Sequence, residues 1–248
     1  MSFAESFIVS IFIESLRGVV FAIPRAINNW RFKKFFGKYS TTNDNIYAVV
    51  DPYTLPLPRI TNRYIKRFLG RRPDQPLIGE DNVLGVNSIR VISYITSLFS
   101  AYRKKNKPLN VVIDEKIAGK WKGTFICFGS SDSNIKTFEI ENLKEQSFYT
   151  FDFGPNGHRR FIIRKKSFGI SNKCDYGILL KMENPHCAGH YLFVCAGHGE
   201  WGTSGSAYFL FNNWKNLYKE HKKKDFCKII EVDFHSDESA RPIYSITK

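Results

Sequence analysis

Two stretches of the chain join an apolar run to a loop of small polar residues: residues 124–134 (TFICFGSSDSN) and 191–205 (YLFVCAGHGEWGTSG). The second loop holds Gly197, Gly199, Gly202 and Gly205, with His198, Glu200, Thr203 and Ser204, inside nine residues. Backbone N–H groups at a helix start bind anions, so Gly202, Thr203, Ser204 and Gly205 are expected to cradle a phosphate. In the first loop, Gly129 would let a ligand approach the backbone. Ser130, Ser131, Ser133 and Asn134 would donate to phosphate or ribose oxygens, and Asp132 would accept from a ribose hydroxyl. Ser, Asp and Asn are also the preferred helix N-caps, so a plain capped turn is an equal expectation for this loop.

Glu200 and His198 are the groups best suited to catalysis. A carboxylate beside a bound ribose can stabilise an oxocarbenium-like centre or hold water, as chemistry at a glycosidic bond requires. Asp51, Asp114 and Asp175 lie at strand starts or ends and are its candidate partners. The competing role for Glu200 is that of a first-turn carboxylate serving the helix dipole. Other chemistries are disfavoured. No Lys follows Gly205, which removes a P-loop. Gly197, Gly199 and Gly202 match G-x-G-x-x-G but stand late in the chain, with no acidic ribose binder in a following strand. No Ser/His/Asp or Cys/His set suits nucleophilic hydrolysis. The five cysteines (Cys127, Cys174, Cys187, Cys195, Cys227) have no C-x-x-C spacing, which suits a reducing compartment. His186, Cys187, His190 and His198 match no zinc pattern, so no metal is expected, and no cofactor is required.

The elements that would position these loops alternate. Apolar runs at 46–50, 109–113, 124–128, 191–196 and 226–234 read as strands, and 243–247 as an edge. A helix is expected from a cap at Asp81 or Asn82 to about Lys104, a modest one ending near Gln146, and another from Thr203 to Glu220. Runs at 148–153, 159–165 and 176–183 read as antiparallel strands, the first two a hairpin across Gly154-Pro155-Asn156-Gly157. The Pro-rich basic stretch 55–76 reads as a surface excursion. The predicted fold is α/β, a three-layer Rossmann-like, mostly parallel sheet with an antiparallel insertion.

The 248 residues carry 37 Lys and Arg against 23 Asp and Glu, a formal charge of +14, so nucleotides, nucleic acid and anionic lipid are all attracted partners. Residues 7–23 (FIVSIFIESLRGVVFAI) are apolar at twelve of seventeen positions. That is the short limit for a membrane span, and Glu14 and Arg17 each oppose insertion by about 2.5 to 3.5 kcal/mol. Arg25, Arg31, Lys33 and Lys34, interleaved with Trp30, Phe32, Phe35 and Phe36, resemble a cytoplasmic membrane boundary. Residues 1–37 are therefore set apart from a body at 38–248. The body is expected in the cytoplasm, attached to the inner membrane through 7–23 if that segment spans. An interfacial helix and a helix packed on the domain or on a second copy of the chain are the alternatives.

With its strand-end loops GSSDSN and GHGEWGTSG, the body resembles the Rossmann-like nucleotide-handling domains of bacterial signalling and immunity, among them the TIR, SLOG and nucleoside deoxyribosyltransferase-like families. The resemblance implies a sensor or N-glycosidase-type effector that binds or cleaves NAD or a related nucleotide, acting in defence or signalling. Two other classes remain open from the residues alone. One is a non-enzymatic membrane-associated or pore-forming effector driven by residues 7–23. The other, less favoured, is a nucleic-acid binder using the basic runs 59–72, 158–166 and 219–224.

Overall fold

Strand runs that are apolar at nearly every position need cover on both faces, and the chain supplies it. The computed structural model of the protein describes residues 24–37, 40, 45–51, 53–54, 82–83, 85–103, 109–153, 159–169 and 171–248. A helix, α1, occupies 24–36. It is followed by β1 (Ile46–Val50), the short β2 (Tyr53–Thr54) and β3 (Asn82–Val83), α2 (Val86–Tyr102), β4 (Asn110–Ile113), β5 (Thr124–Phe128) and α3 (Ile135–Glu141). Then come β6 (Thr150–Phe153), β7 (Arg159–Ile163), β8 (Lys166–Gly169), β9 (Cys174–Glu183), β10 (Tyr191–Gly197), α4 (Glu200–His221), β11 (Phe226–Asp233) and β12 (Arg241–Thr247).

The main sheet is α/β and mixed, with seven strands in the order β12-β11-β9-β10-β5-β1-β4. β4, β1, β5 and β10 run parallel, while β9 is antiparallel to both β10 and β11, and β12 to β11. Alternation along each strand sorts the core. Ile46, Ala48, Val50, Ile126, Phe128, Phe193 and Cys195 face α1, α2 and α4. Val49, Phe125, Cys127, Leu192, Val194 and Ala196 face Ile140 of α3 and Phe161 and Ile163 of the separate β6-β7-β8 sheet.

Register then aligns the strand ends. Val49 pairs with Cys127, and Cys127 with Val194, so Asp51, Gly129 and Ala196 reach one level at the carboxyl edge. From β1 the chain goes to β4 on one side and then to β5 on the other. Such a reversal opens a crevice at the strand ends of an α/β sheet.

Several predicted boundaries move. The long central helix starts at Val86, with Gly85 as its N-cap, because Asn82 and Val83 pair with Thr54 and Tyr53 as a small ribbon. The modest helix ends at Glu141; the Gln146 side chain binds the backbone of Phe148 and Tyr149 and turns the chain toward β6. β8 was not anticipated. It returns from β7 through Arg164 and Lys165, both at positive φ, the backbone of a tight hairpin turn. α4 starts at Glu200, three residues before the predicted Thr203. The excursion 55–76, the GPNG turn and residues 7–23 lie outside the described residues.

Among the described residues no helix is long and apolar enough to cross a membrane. In the basic-aromatic flank, Phe32, Phe35 and Phe36 recur three and four residues apart on one face of α1, and all three are fully buried. Phe32 stacks on Tyr102 at 4.4 Å and meets Phe99 at 5.1 Å; Phe36 lies 5.2 Å from Phe193. This end of the N-terminal segment is part of the sheet's helical cover.

Candidate functional site

Gly129 follows directly on β5, and its φ of +109° suits glycine. An added Cβ there would lie 2.8 Å from the Ser133 hydroxyl and 3.5 Å from the Asp51 carboxyl carbon. The first loop therefore curls over the end of β1. Asn134 is buried and makes the curl: Oδ1 accepts from the Thr137 N–H at 3.0 Å, and Nδ2 donates to the Phe128 carbonyl at 3.0 Å. The second loop leaves β10 beside it, and the first turn of α2 closes the third side.

Together these segments enclose a cavity of about 150 Å³, lined by Asp51, Asn87, Ser88, Ser130, Ser133, His198, Glu200 and Thr203, with the backbones of Gly85, Gly129, Gly197 and Gly199 and the apolar faces of Val91 and Phe128. Both loops thus reach one cavity, and its described walls carry two carboxylates and several hydroxyls but no Lys or Arg. Burial raises the Asp51 carboxyl above its ordinary range; Asp114 and Asp132 add to that, while the Ser133 hydroxyl and a backbone N–H oppose it. Glu200, exposed at the start of α4, accepts from Asn87 Nδ2 at 2.5 Å.

His198 is more confined. Its Nε2 lies 2.8 Å from the Phe168 carbonyl oxygen, which can only accept, so this nitrogen carries the proton. The ring packs on Phe161 at 4.2 Å between centroids. That clamp makes His198 a wall of the cavity rather than a mobile proton carrier.

The phosphate cradle expected at Gly202, Thr203, Ser204 and Gly205 is taken by the chain itself. Asp175, fully buried at the start of β9, accepts from the Gly202 N–H at 2.7 Å and the Gly199 N–H at 3.1 Å. Its carboxylate occupies the anion position at the N-terminus of α4. Gly202 lets α4 touch the sheet: a Cβ there would stand 2.5 Å from the Tyr176 carbonyl oxygen. Gly205 packs against Val232. Ser204 donates to Asp237 at 2.6 Å, and Thr203 accepts from the Gly197 N–H at 2.9 Å.

In the first loop, the Ser130 hydroxyl donates to Asp132, and neither Asp132, Ser131 nor Asn134 lines the cavity. The capped-turn alternative describes Asn134. The three aspartates separate by role: Asp51 faces the cavity, Asp175 caps α4, and buried Asp114 accepts from the Ile135 N–H at 2.7 Å at the start of α3. On the wall from α2, Asn87 and Ser88 fall within the helix expected from Asp81 or Asn82, and its later start at Val86 brings them into the first turn. The signal that locates them is Gly85 just before them.

Asp237 fixes the helices that flank the cavity. It accepts from Tyr94 of α2 at 2.8 Å and Ser204 of α4 at 2.6 Å, and pairs with Arg90 at 2.8 Å. The N-cap of α2, Gly85, has no side chain with which to cap it, and the first turn of α2 holds no acid; Gly85, Asn87 and Ser88 line the cavity, so this helix start borders it. Other chemistries lack partners. Burial raises the thiols of Cys127, Cys195 and Cys227, which keeps them unreactive. Among the described residues no group of His, Cys, Asp or Glu is placed to hold a metal; His190 contacts Thr124 while His186 stacks on Trp121.

Comparison with family models, with curated proteins and with solved structures finds no match to this chain.

Proposed function

We propose that the protein is a nucleotide-binding domain of Rossmann-like, three-layer type whose cavity takes the ribosyl part of NAD or a related nucleotide and cleaves its N-glycosidic bond. The observation that carries this reading is that Asp51, just past β1, and Glu200, at the start of α4, line one hydroxyl-rich cavity without a described cation. Sugar hydroxyls and a developing oxocarbenium centre suit such walls. The volume, about 150 Å³, suits a pentose or a single ring and is smaller than the roughly 300 Å³ at which drug-sized pockets begin. A nucleotide's phosphates would extend toward the uncapped start of α2, which favours negative charge. The siting at parallel strand ends, where β1 is flanked by β4 and β5, also supports the Rossmann-like reading.

The two carboxyls divide the work. Asp51, which holds its proton to higher pH than an exposed carboxyl, protonates the departing base of a nucleoside or nucleoside monophosphate as the C–N bond breaks and its electron pair leaves with the base. Nicotinamide, leaving NAD from a pyridinium nitrogen, takes that pair and departs neutral without a proton. Glu200, steadied by Asn87, takes the proton of the water that adds to the anomeric carbon. Ser88, Ser130 and Ser133 address the sugar hydroxyls. A test incubates the purified chain with NAD, nucleosides and nucleoside monophosphates and follows released base by chromatography. Release that is lost in Glu200→Gln with every substrate, and in Asp51→Asn with nucleosides and nucleoside monophosphates, is the expected result. If the wild-type protein releases no base and calorimetry detects no binding of these compounds, the reading fails.

A further inference from the structure

A second concavity shares no residue with the first and lies at the start of β10, whose other end borders the first. It is a hollow of about 370 Å³ lined by Trp30, Lys33, Lys34, Gly189, Tyr191 and Lys223. Two basic runs far apart in the chain meet here. Lys33 and Lys34 end α1, and Lys223 follows α4, because Trp30 packs edge-on to Tyr218 of α4 at 6.1 Å. Beneath the hollow, Lys181 is fully buried, with its ammonium 3.8 Å from the Tyr191 ring and within 3.5 Å of the carbonyls of Lys223 and Lys224. It fastens the turn that carries Lys223. The neighbouring acids are engaged elsewhere: Glu220 pairs with Lys228 at 2.8 Å, and Asp225 accepts from the Glu183 N–H at 2.9 Å.

The hollow is lined by three lysines and two aromatic rings, and no acid is among its lining residues. Lys33, Lys34 and Lys223 form no ion pair with any described residue. Trp30 is 54% exposed and Ile27, one turn earlier on α1, is 43% exposed. A large ring and an aliphatic side chain held at the surface beside unneutralised ammonium groups match the boundary of a bilayer, where Trp sits at head-group level and lysines meet lipid phosphates. In the sequence, the apolar residues 7–23 directly precede α1.

We propose that this hollow seats the protein on a membrane containing anionic phospholipid, with the lipid phosphodiester groups meeting Lys33, Lys34 and Lys223 and Trp30 lying among the head groups. A free inorganic phosphate is also an anion that the lysines would attract but has no use for the exposed Trp30 and Ile27. A nucleic acid would use the lysines without a neighbouring apolar segment.

Co-sedimentation of the full chain with vesicles of phosphatidylcholine and phosphatidylglycerol, and with vesicles of phosphatidylcholine alone, tests the proposal. Each basic residue at an anionic surface contributes about fivefold in partitioning, so the Lys33→Ala, Lys34→Ala, Lys223→Ala variant is expected to bind the anionic vesicles about 100-fold more weakly. Its binding to phosphatidylcholine alone should equal that of the wild type. The corresponding Lys→Arg variant should retain binding, and Trp30→Phe should lose the blue shift in emission that anionic vesicles induce. Equal binding of wild type and triple Ala variant to anionic vesicles would overturn the proposal, as would loss of binding in the Arg variant. Release from vesicles by inorganic phosphate at matched ionic strength would assign the hollow to a small anion instead. Tighter lysine-dependent binding to an RNA oligonucleotide than to vesicles would assign it to nucleic acid.

Discussion

Asn87, in the first turn of α2, and Glu200, the first residue of α4, stand 113 residues apart in the chain and meet through a hydrogen bond of 2.5 Å, Asn87 Nδ2 donating to Glu200 Oε2. The bond joins the two helix starts across the mouth of the cavity, while Asp237 joins the same helices farther along through Tyr94, Arg90 and Ser204. Glu200 is thereby held although it is exposed.

A hydrogen bond to a charged group contributes about 1.5 to 3 kcal/mol. Asn87→Ala should therefore slow base release about 10-fold to 100-fold in kcat with little change in KM, because Asn87 positions a carboxylate and does not bind substrate. Steady-state kinetics on the released base measure this. Asn87→Gln, which keeps the donor on a longer arm, should recover part of the loss.

Asp51→Asn should stabilise the fold while abolishing turnover of nucleosides and nucleoside monophosphates. Burial holds the folded-state carboxyl above the ordinary carboxylate range, so in the window between the unfolded and folded titrations the folded chain binds more protons than the unfolded one. Stability falls as pH rises through that window, and the carboxylate remains a cost at neutral pH. Removing it should gain about 1 kcal/mol, as is common for active-site substitutions. Thermal melts at pH 7 check the gain, and melts repeated toward pH 4 should show the difference between variant and wild type shrinking.

Asp175→Ala should destabilise by about 2 kcal/mol, since two N–H groups at the start of α4 lose a carboxylate acceptor. Because the chain's own anion is then missing, added inorganic phosphate should raise the melting temperature of Asp175→Ala and leave that of the wild type unchanged. A phosphate effect on the wild type of equal size would mean that Asp175 does not fill the site.

Gly202→Ala should cost about 3 kcal/mol, a steep penalty for one methyl group. Its Cβ would stand 2.5 Å from the Tyr176 carbonyl oxygen and 2.9 Å from Gly197 Cα. Both are backbone atoms, so α4 must lift from the sheet. Denaturant midpoints measure the loss.

Lys181 offers a pH signature. Burial lowers it from 10.5 to about 8, against the pull of Asp225 and Glu183. Between those values the unfolded chain binds the extra proton, so stability rises with pH from about 8 to 10.5. Below that window the buried charge costs about 3 kcal/mol. Lys181→Met should melt higher than the wild type at pH 7 by about 2 kcal/mol, net of the long bonds to the Lys223 and Lys224 carbonyls. It should also lose the alkaline gain. Melting curves across pH 7 to 10 read both effects.

The residues alone determined the seven strands of the main sheet, the two loops and the neighbourhood of Asp51 but not β2, β3 or β8, because a buried strand writes its burial into consecutive apolar side chains, and a loop writes its turn into Gly, Ser and Asn. Local signals end there. That the Gly199 and Gly202 N–H groups are claimed by Asp175 depends on which carboxylate the β9 register brings under which helix. The same holds for Ser204, whose hydroxyl reads as a phosphate ligand until Asp237 arrives from 33 residues away. A helix start in sequence is an anion site with an open vacancy; only packing decides whether the anion is foreign or the protein's own. Likewise Lys33 and Lys223 belong to separate basic runs until Trp30 docks on Tyr218 and closes them around one hollow.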